Sequence, residues 1–218
     1  HGGEQLQRLS DIFDLDETFL TVLPEFDHYD RPARDGHAPP EYFGPLDMPN
    51  ESGDVPWPAG EGERVFVYYR TSYPHFKTLM RQLAGLGLPT LVVADDASPA
   101  VIKECSTESL KIMTGQVDLD VVSRTCRVAV GAAGLGSITR LTLGGCPLAM
   151  LPVTIEQCQL GYRVAKQGLG VMSIAKKENN DFAAVVRAVL DRPKYAERAR
   201  QLAERYRDLD PARQIAVI

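Results

Sequence analysis

The sequence predicts an α/β protein: a doubly wound, Rossmann-like parallel sheet of about six strands flanked by helices. Three observations carry that prediction. From residue 64 onward, short apolar runs rich in Val, Ile and Leu alternate with longer amphipathic stretches. Glycine, proline and Asp/Ser clusters punctuate the junctions between them. The stretch 126–168, CRVAVGAAGLGSITRLTLGGCPLAMLPVTIEQCQLGYRVAKQG, runs a buried strand into a glycine turn that opens a helix, then a second strand into a Glu-Gln pair.

Taken in order, residues 1–23 form an N-terminal segment entering the domain, with a helix over 5–13 and a strand over 18–23. Residues 24–63 read as an extended connector, because eight of the fifteen prolines fall between Pro24 and Pro58 and periodicity is lacking. The domain proper runs over 64–207: strand 65–69, helix 75–85, strand 90–94, helix 100–105, strand 110–113 and helix 119–124. The glycine block continues it with strand 127–130, helix 137–143, strand 147–151 and helix 155–167. Strand 171–174, helix 181–190 and a charged helix over 194–207, opened by Pro193, complete it, and 208–218 is a crossover tail. Right-handed crossovers are expected between the strands.

Composition narrows the function classes. A net charge of −5 and a pI near 5.4 argue against nucleic acid as the main partner. No apolar run approaches the roughly 20 residues of a membrane span, and the sequence shows no signal-peptide pattern. Cys105, Cys126, Cys146 and Cys158 show no metal-ligand spacing. They are expected to be reduced thiols, which implies a cytoplasmic location. Asp95-Asp96 after a strand invites a metal reading, but with Ser98-Pro99 next to it ordinary turn chemistry is favoured. No metal or cofactor is expected.

The glycine turn is the chemical centre of the sequence. Gly131, Gly134 and Gly136 permit positive φ and close backbone approach, and the helix that follows points its unpaired N–H groups and positive dipole end at the turn. That arrangement favours a phosphate or carboxylate. A tight strand-to-helix turn without a ligand accounts for the same residues, so the turn alone does not decide.

The block resembles the nucleotide-sugar-binding half of GT-B glycosyltransferases of the natural-product type. That family's pattern is His-Gly-Gly-x-Gly-Thr, a helix bearing Glu, Gly-x-Pro, a strand ending in Pro, then Asp-Gln. Here Ala132-Ala133-Gly134-Leu135-Gly136-Ser137, Arg140, Gly145-Cys146-Pro147, Pro152 and Glu156-Gln157 follow in the same order and spacing. TVLPEFDHY with EYFGPLD, RVFVYYRTS, KIMTGQVDLDVV and AERARQLAERYRDLDP support the likeness outside the block. Three departures stand out: Ala132 replaces the family's His, Ala133 its next Gly, and Arg140 the acid that binds ribose.

The resemblance implies a donor diphosphate held by Arg70, Thr71, Ser72, Ala133, Gly134, Leu135, Gly136 and Ser137. It places the donor sugar against Glu156 and Gln157, and the nucleoside against Gln116, Val117 and Arg140. Arg70 is a candidate replacement for the missing His, since a guanidinium suits a diphosphate. The implied activity is transfer of a hexose from a nucleotide diphosphate sugar to an acceptor hydroxyl. The general base is expected in an N-terminal acceptor domain, because none of His28, His37 and His75 has a fitting context. Two other functions compete: a non-catalytic glycosyltransferase-like helper, favoured by the Ala132, Ala133 and Arg140 changes, and a dinucleotide oxidoreductase with Glu156 as ribose ligand. The order GAAGLG, after the fourth strand, counts against the last.

Overall fold

The computed structural model describes residues 8, 19–29, 41–46 and 55–209. Its elements are β1 (Val65–Tyr68), α1 (Phe76–Ala84), β2 (Thr90–Val93), α2 (Pro99–Cys105), β3 (Leu110–Met113), α3 (Leu119–Thr125) and β4 (Val128–Gly131). They continue as α4 (Leu135–Leu143), β5 (Leu148–Met150), α5 (Ile155–Lys166), β6 (Gly170–Met172), α6 (Phe182–Leu190) and α7 (Pro193–Arg205). All six strands join one parallel sheet in the order β3-β2-β1-β4-β5-β6. The expected doubly wound sheet is the observed one.

Side chains alternate across a strand, so a sheet covered on both faces needs consecutive apolar residues. In β1, Val65 and Val67 pack with Phe76, Leu79 and Leu83 of α1 and with Phe182 and Val186 of α6. Phe66 between them packs with Ile138 and Leu141 of α4, Leu160 and Val164 of α5, and Ala199 and Leu202 of α7. Burying a Leu, Phe or Val of this kind stabilises by about 1.5–3 kcal/mol. Two such layers hold the sheet rigid beneath its loops.

Local signals set the helix ends. Ser98, Asp118 and Asp181 accept N–H bonds at the starts of α2, α3 and α6. Thr154 and Gln157 form a reciprocal capping box at α5. At the far end of α4, Gly144 is followed by Gly145 at φ +83°, a left-handed stop that glycine adopts without cost. A Cβ on Gly144 would sit 1.7 Å from the Ser123 hydroxyl, so α3 and α4 touch there as only glycine permits.

Besides one-residue shifts at the ends of other elements, the structure differs from expectation in four places. Over its described part, the expected strand 18–23 reduces to one parallel bridge from Leu20 to Tyr42, while Leu23 and Phe26 are buried against the sheet's second core. Helix α4 opens at Leu135 rather than 137, which brings Leu135 and Gly136 into its first turn. Helix α7 ends at Arg205, and Tyr206 beyond it donates its hydroxyl to Glu25 at 2.7 Å, tying the N-terminal segment to the domain. Strand β6 is one register step earlier and shorter than 171–174. Of the expected helix 5–13, only residue 8 is among the described residues.

Candidate functional site

In the order 3-2-1-4-5-6 the winding reverses between β1 and β4, and the crevice outside the carboxyl ends of those strands is where such sheets bind ligands. β1 and β4 pair from Val65 with Val128 to Tyr68 with Gly131, so both strands stop level. Tyr69, the next residue, reaches across β4 and donates its hydroxyl to the Leu151 carbonyl at the end of β5. Burial, with Tyr73 beside it, pushes that phenol well above its ordinary range, so it stays a neutral donor.

The turn after β4 is open. Ala133 carries the left-handed conformation at φ +67°, whereas Gly134 is extended at φ −73°, ψ +137°. The positive φ expected of the glycines therefore falls on an alanine, at a cost of about 1–2 kcal/mol. Ala133 is buried, and its methyl lies near Gly161 of α5. A Cβ on Gly134 or Gly136 would meet nothing within 4 Å. Neither backbone strain nor packing against the protein calls for glycine at Gly134, and packing does not at Gly136. What their bare backbone leaves is room. Gly134 offers no side chain to cap α4, whose first bond runs from the Ile138 N–H to Gly134 O at 3.0 Å. The N–H groups of Leu135, Gly136 and Ser137 have no intrahelical acceptor and face the turn with the dipole's positive end.

Two cavities meet at this turn, sharing Tyr68, Asp95, Gly134 and Ser137. The smaller, about 350 Å³, reaches under β4 and β5 between Arg70, Ser72, Ala132, Ala133, Val153 and Gln157. The larger, about 790 Å³, runs between α3 and α4 past Gln116, Val117, Asp120, Leu135, Gly136 and Arg140. Tyr68 stands between them, donating its hydroxyl to Asp95 at 3.2 Å, and burial and that carboxylate raise its pKa.

The turn after β1 is closed. Asp96 accepts the Thr71 N–H at 2.7 Å and the Ser72 N–H at 3.3 Å. What little burial Asp96 has pushes its carboxyl up, but these N–H bonds outweigh it and hold its pKa below the usual 3.8. The expected turn role of Asp96 is thus real but directed at the neighbouring loop, while Ser98 caps α2. Nothing in the sequence spacing marks that bond, which joins residues 25 apart.

The expected site residues divide accordingly. Ala133, Gly134 and Ser137 line the smaller cavity together with Arg70, Ser72 and Gln157. Gln116, Val117, Arg140, Leu135 and Gly136 line the larger. Thr71 lines neither, and its N–H is engaged by Asp96. Gln157 is committed on one side: its Oε1 accepts the Val153 and Thr154 N–H groups at 2.9 and 3.3 Å, so its amide nitrogen is what it can present to a ligand. Glu156 is exposed in the first turn of α5 and lines neither cavity. His28 stacks beside Tyr29, and His75 sits at the start of α1 edge-on to Tyr73 of the smaller cavity; neither lines a cavity, and His37 lies outside the described residues. Tyr68, Asp95, Asp96 and Asp120 were not expected at the site. Among the described residues no group of three or more His, Cys, Asp or Glu is placed to hold a metal ion, and no helix is long and apolar enough to cross a membrane.

No family model and no curated protein matches the chain. Solved structures do. The spinosyn rhamnosyltransferase SpnG complexed with thymidine diphosphate is similar at 19% identity and a TM-score of 0.68, over 91% of this chain and 55% of that one. The glycotransferase of kitacinnamycin is similar at 20% identity and 0.64, over 81% and 48%. The Streptomyces sp. SF2575 glycosyltransferase SsfS6, complexed with thymidine diphosphate, is similar at 23% and 0.55, over 76% and 43%. The chain spans about half the length of these structures. Over that half, it has the fold of natural-product glycosyltransferases.

Proposed function

We propose that this chain is the donor-binding half of a glycosyltransferase that moves a hexose from a nucleotide diphosphate sugar to an acceptor hydroxyl. One observation carries the reading: two glycines that the surrounding protein does not crowd, at the uncapped start of α4, where the sheet's winding reverses. The N–H groups of Leu135, Gly136 and Ser137 hold the diphosphate, with Arg70 across the smaller cavity as its cation. The nucleoside enters the larger cavity, and the sugar the smaller one, near the Gln157 amide. Fixed donors of this kind stabilise the leaving diphosphate as its charge develops, which is the donor half's share of catalysis.

An N-terminal acceptor domain supplies the general base and the acceptor pocket, so this chain alone binds and turns over little. Its four cysteines, none in a disulfide, suit the cytoplasm. The test is thermal melting with UDP, TDP and GDP and their sugars. Ligand at a hundred times its Kd adds about 2.7 kcal/mol of stability. No shift with any of them sinks the reading.

A second reading keeps its place because of Ala132 and the closed β1 turn. Both remove phosphate donors that an active donor site uses, and a helper protein stabilising a partner has no need of them. Such a helper shows no shift with nucleotides and gains stability only from its partner.

A further inference from the structure

We propose that Cys126 and Cys146 are an oxidisable thiol pair that a hydroperoxide closes to a disulfide, locking the base of the unit that carries the glycine turn. Cys126 ends α3 and leads into β4, and Cys146 leads into β5. Those strands run side by side in parallel with Ala129 level with Leu148, so the two cysteines enter the sheet at neighbouring positions. Their sulfurs lie 3.1 Å apart, and neither is in a disulfide. A disulfide brings its sulfurs to about 2.05 Å, so closure asks for a movement of only about 1 Å.

The backbone already holds both residues in place. The Cys126 N–H bonds the Val122 carbonyl at 2.8 Å, closing the last turn of α3. The Cys146 N–H bonds the Leu141 carbonyl at 3.0 Å, which folds the end of α4 back towards β5. Between them Gly144 admits Ser123 against its bare backbone, so α3 and α4 stay in register. Cys105 in α2 and Cys158 in α5 have no sulfur in contact among the described residues.

The two thiols differ in the way a sequential oxidation needs. Cys126 is half-buried and can be reached from solvent, whereas Cys146 is enclosed. Burial, with Cys126 beside it, pushes the Cys146 thiol well up, so Cys146 stays protonated and reacts second. In the first step the Cys126 sulfur attacks a peroxide oxygen and the O–O bond breaks, giving a sulfenic acid and one water. The Cys146 sulfur then displaces the hydroxyl from Cys126 Sγ, and its proton leaves with that hydroxyl as a second water. Two thiols lose two electrons and two protons, and one hydrogen peroxide becomes two waters. The bond closes a segment whose ends are 20 residues apart and which contains β4, the glycine turn and α4. It lies at the amino ends of the strands, away from the crevice, so it restrains the unfolded chain and leaves the open turn as it is.

The test treats the whole chain with an equimolar amount of hydrogen peroxide, counts free thiols after denaturation and maps the linked peptides. The count is expected to fall from four thiols to two, with Cys126 joined to Cys146 and the link reversed by dithiothreitol. For a loop of this length the melting temperature should rise by about 6–12 °C. Cys126→Ser removes both the link and the rise, whereas Cys146→Ser leaves Cys126 to accumulate as sulfinic acid, read by mass spectrometry. Four surviving thiols, a link through Cys105 or Cys158, or a melting temperature lowered by closure overturns the proposal. The wild-type thiol count and peptide map decide it even where a variant fails to fold.

Discussion

The turns after β1 and β4 end at the same level of the sheet, and both present backbone N–H groups to the same crevice. One has its anion built in. Asp96 fills the β1 turn, bonding Thr71 and Ser72, whereas among the described residues no side chain caps the start of α4 in the β4 turn. The difference teaches that a helix or loop start rich in N–H groups is only half a site. Whether a protein carboxylate reaches it first decides whether it is structure or receptor.

The largest expected effect comes from making the open turn resemble the closed one. Gly136→Asp puts a carboxylate at the second position of α4, where a Cβ meets nothing. An acid there favours the helix by about 0.3–1 kcal/mol, so the melting temperature should hold or rise. Nucleotide binding should fall more than about a hundredfold, combining lost space with like-charge repulsion. Retained affinity by calorimetry would place the diphosphate elsewhere.

Next is Arg70, the cation on the border of the two turns. Arg70→Ala removes a hydrogen bond to a charged group, worth about 1.5–3 kcal/mol, so binding should weaken at least tenfold with no change in melting temperature. Unchanged affinity by calorimetry rejects that role. Ala132→His sharpens the comparison from the other side by giving the open turn one more donor within the smaller cavity. A gain of about threefold to tenfold in affinity for a nucleoside diphosphate is expected, growing as the imidazole is protonated below about pH 6.5. A gain that is flat with pH argues against a charged contact.

The smallest effect belongs to Asp96→Asn, which loosens the closed turn. Because Asp96 is well exposed, the loss of stability should be about 1 kcal/mol or less. The sign with pH follows from its lowered pKa: the contribution is full above the ordinary value of 3.8 and fades as pH falls through the folded-state value. Melting curves of wild type and variant should therefore begin to converge as pH falls below 3.8 and coincide only once it has passed the lower folded-state value. A gap that persists there, or one that widens, assigns the stability to something other than the carboxylate.

The sheet was legible because its strands are buried on both faces, so β1, β2 and β4 read as unbroken apolar runs. The glycine turn was legible for the same local reason. What escaped was made by contacts distant in sequence. Thr71 and Ser72 look like free donors until Asp96, 25 and 24 residues on, is seen bonded to them. Gln157 reads as a sugar ligand, although Thr154-Ile155-Glu156-Gln157 spells the capping box that claims its carbonyl. Asp120 hides in Asp118-Leu119-Asp120, where the first aspartate is the cap and the second faces a cavity that exists only when α3 meets α4. The strand expected over 18–23 failed because its apolar residues serve burial: Leu23 and Phe26 plug the core, and a single bridge suffices to anchor them.

The bond from the Tyr69 hydroxyl to the Leu151 carbonyl has a kinetic consequence. It straps β1 to β5 over the end of β4, so the strand that delivers the open turn cannot splay from its neighbours. Together with the packed methyl of Ala133, it finishes the cradle before any ligand comes. For the anion proposed at this site, capture then requires no ordering of the turn, so its rate is expected to follow encounter and charge steering.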